Sequence, residues 1–395
     1  MRSANWLPPL AAEEQPQGGF GLYLHWPYCQ SKCPYCDFNS HVSASIDQDR
    51  WKRAYLSEIR RYKAATAGRH LDTVFFGGGT PSLMDPALVH AILDEIKQSW
   101  PISNSFEVTL EANPGSVEAG RFAEYRAAGV NRVSLGVQAL NDHDLRRLGR
   151  LHSAQDAKAA FQTARDLFDR VSFDLIYARQ DQSVEDWRAE LKQALNMAID
   201  HFSLYQLTIE EGTAFGDRLA KGGLTGLPSD DRAAEMYLAT QEICEDAGLP
   251  AYEVSNHARD MCESRHNLIY WRGGDYIGIG PGAHGRLTTP VGRFATETLA
   301  APALWLEQVE KTGTGTSREE QVCRADQAVE YLMMSLRLRE GSSLQRFASL
   351  NGASVPVATL AWLCDDGFLL QDGDRIAATQ KGRPVLNAIL RELLT

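Results

Sequence analysis

The stretch 29-CQSKCPYCDF-38 places three cysteines within eight residues, whereas the other four cysteines of the chain are widely spaced. Thiolates at this density are typical of soft-metal and iron–sulfur sites. Pro34 lies between the second and third cysteine and disfavours a regular helix. We therefore predict a loop in which Cys29, Cys33 and Cys36 surround one metal centre.

Two kinds of centre fit these residues. A structural zinc site closes with four ligands, and His25 or His41 could supply the fourth. An iron–sulfur cubane held by three cysteines instead leaves one iron open to a further ligand, as in catalytic metal sites. The residues favour the cluster and leave zinc as the alternative.

Composition limits the class of protein and its partners. The chain has 395 residues and a formal net charge of −11, and such a charge argues against a nucleic-acid partner. Its length predicts one large domain and a smaller one. No secretory signal or membrane-length apolar run is present in the sequence, so we expect a cytoplasmic protein without a membrane span. Peripheral contact with a membrane stays compatible with the sequence.

Apolar, β-rich runs alternate with amphipathic helical patterns from residue 20 to about 210. This alternation predicts an α/β fold with βα units around a parallel sheet. Helical patterns occupy 48–65 and 86–100. The six predicted strands are residues 19–26, 71–78, 106–114, 132–138, 170–177 and 201–210.

The pattern changes beyond residue 229 to a long helix, a turn-rich region at 273–285 and a final helix-rich segment. That last segment is predicted to form helices at 319–338, 356–367 and 381–393 with a hairpin around Asp372-Gly373, an order that suggests a small winged-helix-like module. The predicted organisation is an N-terminal segment (1–18), a βα domain (19–228), an extension (229–317) and the C-terminal module (318–395).

Polar and glycine-rich features lie at the ends of the predicted strands. Because βα loops gather at the carboxyl edge of a parallel sheet, where ligands bind, we expect these features to converge. They are the cysteine loop, residues 77–81, Glu111, Gln138, Asp174 and Thr208.

These features together resemble a known family. The motifs are residues 23–41, 75–83, 111–114, 134–138, 149–152, 174–177, 205–213, 266–271 and 278–285. From about residue 20 to its C-terminus the chain resembles the radical S-adenosylmethionine (SAM) superfamily, in its coproporphyrinogen-dehydrogenase-like branch and most closely the haem chaperones of that branch. The resemblance implies a partial (β/α)6 barrel with a C-terminal α+β extension, a [4Fe–4S] cluster on Cys29, Cys33 and Cys36, and SAM on the open iron.

The resemblance also implies which residues contact SAM. They are Tyr23, Tyr35, Gly77, Gly78, Gly79, Thr80, Glu111, Gln138, Arg150, Asp174, Thr208 and Ile279. Each has an ordinary alternative: barrel packing for the tyrosines, a turn for the triple glycine, a strand bulge for Gly278-Ile279-Gly280, and structural hydrogen bonds for the polar groups.

The motif 266-HNLIYW-271 implies a place for haem. By resemblance His266 is the leading candidate for a haem ligand, since histidine is a common axial ligand and aromatic faces pack against porphyrins. Tyr270 and Trp271 belong to the same motif, and Cys262 is a weakly supported second ligand. The alternative is a hydrogen-bonded structural histidine.

Two functions follow from the resemblance. A haem chaperone would bind haem and pass it to an acceptor apo-haemoprotein, with an electron donor serving the cluster. The alternative is oxygen-independent coproporphyrinogen III dehydrogenase, which acts through a 5′-deoxyadenosyl radical. The resemblance implies the pattern CxxxCxxCxC for the dehydrogenases, whereas in this chain Phe38 occupies the position of the last cysteine. We also expect this chain to lack the long N-terminal extension of the dehydrogenases. Both departures favour the chaperone.

A DNA-reading role for the winged-helix-like module is disfavoured by the acidic charge of the chain.

After 174-DLIY-177 the family commonly has Gly-Leu-Pro, but this chain has Ala178-Arg179-Gln180. That departure leaves Asp174 in place and puts only the loop conformation in question.

Overall fold

The structure is a computed structural model that describes residues 17–43, 45–116, 119–197 and 200–395. Residues 1–16 of the predicted N-terminal segment lie outside the described residues.

The strands are numbered in chain order. They are β1 (Phe20–Trp26), β2 (Tyr28–Cys29), β3 (His41–Val42), β4 (Leu71–Gly78), β5 (Ile102–Ala112), β6 (Arg132–Gln138), β7 (Arg170–Tyr177), β8 (His201–Gln206), β9 (Asn256–Ala258), β10 (Asp275–Ile279), β11 (His284–Thr289), β12 (Gly292–Thr298), β13 (Thr316–Gln321), β14 (Ser342–Ser343), β15 (Leu369–Asp372) and β16 (Arg375–Ala378).

The helices follow the same convention. They are α1 (Gln48–Ala65), α2 (Pro86–Ser99), α3 (Ala119–Ala128), α4 (Asp142–Arg147), α5 (Ala154–Leu167), α6 (Val184–Leu195), α7 (Ala214–Ala220), α8 (Asp230–Asp246), α9 (Arg265–Trp271), α10 (Pro302–Thr312), α11 (Arg324–Ser335), α12 (Leu344–Asn351), α13 (Val357–Asp365) and α14 (Leu386–Leu394).

The main sheet has the strand order β13-β12-β11-β10-β1-β4-β5-β6-β7-β8-β9. Neighbours from β10 through β8 pair in parallel, and the remaining pairs at both edges are antiparallel. The predicted α/β fold with a parallel sheet is confirmed, and all six predicted strands are present. The sixth strand ends at Gln206 and not at residue 210.

The turn-rich prediction for residues 273–285 is wrong in one respect. Residues 275–279 form β10, which lies parallel to β1 and adds a seventh parallel strand. Glycines in this segment made it look like a turn, but tertiary contacts hold it in the sheet. The buried carboxylate of Asp275 lies 2.7 Å from Arg69 Nη1 and 3.2 Å from Arg293 Nη1.

An aromatic cluster lies behind the start of the cysteine loop. Trp51 stacks on Trp305 with ring centroids 5.4 Å apart, and Trp26 and Tyr28 both meet Trp51 edge to face. The Tyr55 hydroxyl donates to the carbonyl of His25 at 2.6 Å. Aromatic packing of this kind fixes the end of β1, from which the cysteine loop departs.

The C-terminal module contains more elements than predicted. Residues 316–321 form β13 of the main sheet, and the following helix begins only at Arg324 because Cys323 caps it. The helix α12 and the short strand β14 were missed, and β14 joins the predicted hairpin in a three-stranded sheet with the order β14-β16-β15. A separate hydrophobic core underlies these elements, in an order typical of a winged-helix-like module.

The segment 178–180 has a structural explanation. Ala178 and Asp181 both adopt positive φ angles, +58° and +59°. The buried Arg179 guanidinium contacts Asp144 Oδ2 at 2.7 Å and Glu190 Oε2 at 2.6 Å. Arg179 therefore organises the loop that glycine and proline shape in the family pattern, and Asp174 keeps its place in β7.

Replacement of Arg179 is expected to destabilise the fold. In Arg179→Met two largely buried carboxylates lose their counter-ion, which costs about 3–5 kcal/mol of unfolding free energy. Chemical denaturation measures this change. The matched control is Arg188→Met, whose exposed pair with Glu242 contributes about 0–1 kcal/mol. Equal effects of the two changes would contradict the role given to Arg179.

Candidate functional site

The cysteine loop runs from β2 to β3 directly after β1, and each of its three thiols has a different polar neighbour. Thr80 Oγ1 donates to Cys29 Sγ at 3.4 Å, and Arg150 Nη1 donates to Cys33 Sγ at 3.2 Å. Cys36 Sγ lies 3.8 Å from the Ser40 hydroxyl. Thr80 follows β4, Arg150 follows α4 and Ser40 belongs to the loop itself, so segments far apart in the chain meet at the sulfurs.

The three thiols influence one another electrostatically. Burial raises the pKa of the Cys29 and Cys36 thiols, and the neighbouring thiols raise it further. Across the described ranges, no group of His, Cys, Asp and Glu side chains is arranged to hold a single metal ion. A cubane is larger than one ion, so three soft sulfurs around an open loop suit an iron–sulfur cluster.

The two histidines considered as a fourth zinc ligand have other partners. His25 Nε2 lies 2.9 Å from the carbonyl of Asn39, so it carries the proton, and Nδ1 accepts from the Tyr23 hydroxyl at 2.9 Å. His41 Nε2 lies 3.0 Å from Asn39 Oδ1. These contacts weaken the zinc alternative.

The glycines at the end of β4, Gly77 and Gly78, and the following Gly79 allow the chain to pack closely against β1 and the start of the cysteine loop. A Cβ at Gly79 would lie 2.7 Å from the Tyr28 carbonyl, and one at Gly77 would lie 2.8 Å from the Tyr23 ring. Gly78 has a φ of +110°, and its N–H donates to Glu111 Oε2 at 3.2 Å. A side chain at Gly79 would displace the start of the loop, and side chains at Gly77 and Gly78 would displace Tyr23 and His25 of β1.

Two carboxylates share the polar interior of the sheet. Burial, with repulsion from Asp174, raises the pKa of Glu111 to about 8. Burial likewise raises the pKa of Asp174 to about 6, although hydrogen bonds from Ser203 and Ser134 oppose the shift. Two acidic groups held at this cost fit a ligand that carries positive charge or hydroxyl groups.

Gln138 and Arg150 lie together beside the cysteine loop. Gln138 adopts a φ of +70° where the pairing of β6 and β7 shifts register. Arg150 Nη2 donates to the Gly136 carbonyl at 2.9 Å, while its buried Nε has no hydrogen-bond partner among the residues that the structure describes. A strained backbone and an unpaired buried donor are both typical of a ligand site.

The remaining predicted contacts divide between the site and the core. Tyr35 packs against Phe215 near Cys33 and Arg150. Ile279 is fully buried in the main core beside Leu24. Thr208 is exposed two residues beyond β8 and donates to the carbonyl of Gln206.

His266 is held on all sides. Its Nδ1 lies 2.6 Å from Thr73 Oγ1, its Nε2 lies 2.7 Å from the Tyr270 hydroxyl, and its ring stacks on Phe75. Burial lowers the pKa of His266 to about 3. A haem iron would have to displace Thr73 or Tyr270, so these contacts favour the structural alternative for this histidine. The carbonyl of Cys262 accepts from Arg170.

A cavity of about 750 Å³ extends from the polar interior around Glu111 to the C-terminal module. Tyr23, Glu111 and Tyr205 line its inner end. The outer end lies between the antiparallel edge of the sheet and helix α11. The volume is within the range of about 300–1,000 Å³ that is usual for small-molecule sites.

Several residues of this cavity were missed by the sequence analysis. They are His25, Asn39, Tyr205, His284, Arg286, Met334 and Arg346. His25 could have been found, because it lies two residues after Tyr23 in a strand and so shares its face. His284 belongs to a quoted motif, but no pattern indicated which cavity it faces. The C-terminal residues carried no signal, because only tertiary packing brings them to the sheet.

Comparisons with known proteins agree with this geometry. The sequence profile of the Radical SAM superfamily matches residues 23–194, and that of the HemN C-terminal domain matches residues 323–385. The chain is 39% identical to the mitochondrial radical S-adenosyl methionine domain-containing protein 1 of Bos taurus, over 95% of this chain and 87% of that protein. It is 37% identical to the heme chaperone HemW of Escherichia coli, over 98% and 99% of the two chains.

A solved structure is also similar. The coproporphyrinogen III oxidase HemN of Escherichia coli superposes with a TM-score of 0.81 at 22% identity, over 95% of this chain and 90% of that chain. At this identity the likeness is one of fold. No helix in the described part of the chain is long and apolar enough to cross a membrane.

The raised pKa of Glu111 predicts a pH dependence of stability. Its ordinary value is 4.5, and in the folded protein it is about 8. The folded state therefore holds the proton more tightly than the unfolded chain, so the free energy of unfolding falls as pH rises from 4.5 to 8. Glu111→Gln should stabilise the ligand-free protein at pH 8 by about 1–3 kcal/mol and leave it unchanged near pH 4.

Denaturation curves at several pH values measure this effect. The control is Glu124→Gln, since Glu124 is exposed on α3. A pH profile for Glu111→Gln that is parallel to that of the unchanged protein would refute the buried-carboxyl interpretation.

Proposed function

Because this chain belongs to the radical SAM superfamily, in the family of the heme chaperone HemW and the mitochondrial radical S-adenosyl methionine domain-containing protein 1, we propose that it binds haem and passes it to an acceptor apo-haemoprotein. The observation that carries the proposal is the cavity of about 750 Å³, which joins the polar interior to a wall rich in aromatic and thioether side chains. Such a wall suits a flat, largely apolar macrocycle.

Membership in the superfamily implies a [4Fe–4S] cluster and SAM. We propose that Cys29, Cys33 and Cys36 hold the cluster, because their thiols are close enough to influence one another electrostatically and His25 and His41 are engaged elsewhere. When bound, the cluster and SAM supply one-electron chemistry, for which an electron donor must reach the cysteine loop. Arg150 donates to Cys33 Sγ and so places positive charge beside the thiolates.

The polar interior is proposed as the SAM site. SAM carries an ammonium and a sulfonium, and Glu111 and Asp174 offer the complementary charge in a buried setting. Tyr23 closes the inner end of the cavity above Gly77. Gln138, Gly78, Gly79 and Thr80 belong to the same rim, whereas Tyr35, Thr208 and Ile279 remain predictions from the resemblance.

We propose that the motif 266-HNLIYW-271 contacts haem through those of its side chains that line the cavity. Asn267, Tyr270 and Trp271 line the cavity, and His266 lies behind Tyr270 with its Nε2 bonded to the Tyr270 hydroxyl. His266 would then position Tyr270 against the bound macrocycle.

The dehydrogenase alternative finds less support in these residues. Phe38 occupies the position two after Cys36 and lines the mouth of the cavity with 59% of its surface exposed. No packing constraint requires a phenylalanine at so exposed a place. The dehydrogenase pattern has a cysteine at this position. An apolar ring there fits the binding of haem better than it fits thiol chemistry on a porphyrinogen.

Loss of one proposed cluster ligand should abolish the cluster. After anaerobic reconstitution, Cys33→Ala should retain little iron and sulfide, because two thiolates hold a cubane poorly. Iron and acid-labile sulfide analysis measures this. Cys323→Ser is the control, since Cys323 is exposed and keeps its helix-capping role as serine. Zinc without iron or sulfide in the unchanged protein would refute the cluster proposal.

The proposed function itself is tested by haem titration of the cluster-reconstituted protein under anaerobic conditions. We expect one haem to be retained per chain through gel filtration and to move to apomyoglobin, which serves as a probe acceptor. A parallel reaction with coproporphyrinogen III and SAM should yield no protoporphyrinogen. Conversion of the porphyrinogen without retained haem would establish the dehydrogenase instead.

A further inference from the structure

The outer part of the cavity is built on the antiparallel edge of the main sheet. Tyr276 of β10 lies opposite Arg286 of β11, and His284 lies two residues before Arg286. Residues two apart in a strand share a face, so His284, Arg286 and Tyr276 face the same space. Helix α11 covers that space with Tyr331 and Met334.

His284 is available to a ligand in a way that His266 is not. His284 is exposed, lines the cavity, and within the described residues its ring has no hydrogen-bond or ion-pair partner. The ring of His266, in contrast, is bonded at both nitrogens and is not part of the cavity wall. A free imidazole nitrogen is what coordination of iron requires.

The loop before His284 is held firmly. Asn39 Nδ2 donates to the carbonyls of Pro281 at 2.9 Å and Ala300 at 2.8 Å. The Ala283 N–H donates to Thr298 Oγ1 at 2.9 Å. His284 therefore begins β11 from a preorganised turn, which lowers the entropic cost of binding at its side chain.

Arg346 supplies a positive charge without an acidic partner. Its guanidinium stacks 4.4 Å above the Tyr331 ring and donates to the carbonyls of Arg272 and Gly273. Among the described residues no carboxylate pairs with it, and burial lowers its pKa. Arg286, on the same wall, is already paired with Glu330 at 2.8 Å. A carboxylate that enters the cavity would therefore meet Arg346 as an uncompensated cation.

The aromatic and thioether groups between these two residues complete the wall. Trp271, Tyr276 and Tyr331 present rings, and Met333 and Met334 present thioethers. One ligand class combines a flat apolar ring system, a metal with an open axial position and carboxylate side chains, and it is the iron porphyrins.

We propose that His284 coordinates haem iron in the outer part of the cavity and that Arg346 pairs with a haem propionate. The inference rests on the proposed function, since it names the residues that bind haem in the same cavity. It places haem beside the cysteine loop, because Asn39 joins that loop to the turn before His284.

The test is an anaerobic titration of the cluster-reconstituted full chain with ferric haem, followed by absorbance and electron paramagnetic resonance. In His284→Gly the affinity should fall at least tenfold and the spectrum of nitrogen ligation should disappear. Added imidazole should restore the spectrum, because it can occupy the space that the side chain leaves. Arg346→Gln should weaken affinity without changing the spectrum.

Two comparison variants separate the roles of the histidines. His90→Ala, on the exposed surface of α2, should behave as the unchanged protein. His266→Gln should keep the spectrum of nitrogen ligation even where its affinity falls, and its melting temperature reports any loss of folding.

The outcomes also separate this inference from the proposed function. If the unchanged chain retains no haem, the chaperone proposal fails, and the assignment of His284 fails with it. If the unchanged chain and His284→Gly bind haem with the same affinity and spectrum, only the assignment of His284 is overturned. Loss of nitrogen ligation in a folded His266→Gln, with His284→Gly unaffected, would return the ligand role to His266.

Discussion

Hydrogen bonds of Asn39 hold the functional parts of this protein together. Its carbonyl accepts from His25, and its side-chain amide donates to Pro281 and Ala300, partners 242 and 261 residues away in sequence. These bonds connect the cysteine loop to the carboxyl end of β1 on one side and to the turn before β11 on the other. A neutral His25 transmits the same constraint to Tyr23, so the wall of the polar interior and the loop share one network.

The polar interior next to this network costs folding free energy. Glu111 and Asp174 lie close together in a buried environment of low polarity, which raises the pKa of each carboxyl group. Within the described part of the chain the buried Nε of Arg150 has no hydrogen-bond partner, and Gln138 has a left-handed backbone. Costs of this kind persist in a stable fold when a ligand relieves them, and a cationic cofactor with hydroxyl groups would do so here.

The same fold can serve chemistry or transport, and the outer cavity distinguishes the two. Phe38 at the mouth, the rings of Trp271 and Tyr276, and the thioethers of α11 form a surface for binding a flat ligand. The C-terminal module lies across this surface and contacts the rest of the chain through buried packing of Leu338 with Tyr252 and Ala258 and through ion pairs such as Arg272–Glu340.

The sequence by itself determined the α/β class and the six parallel strands, and it predicted a metal centre in the cysteine loop, because hydrophobic periodicity and ligand spacing are local properties of the chain. It also indicated that Glu111, Gln138, Arg150 and Asp174 belong to one rim. The tertiary structure alone decided that residues 275–279 form a strand, that α12 and β14 exist, and that His266 is enclosed while His284 faces the cavity. Those outcomes depend on contacts between segments far apart in the chain, and burial and hydrogen-bond satisfaction are set by such contacts and not by neighbours in sequence.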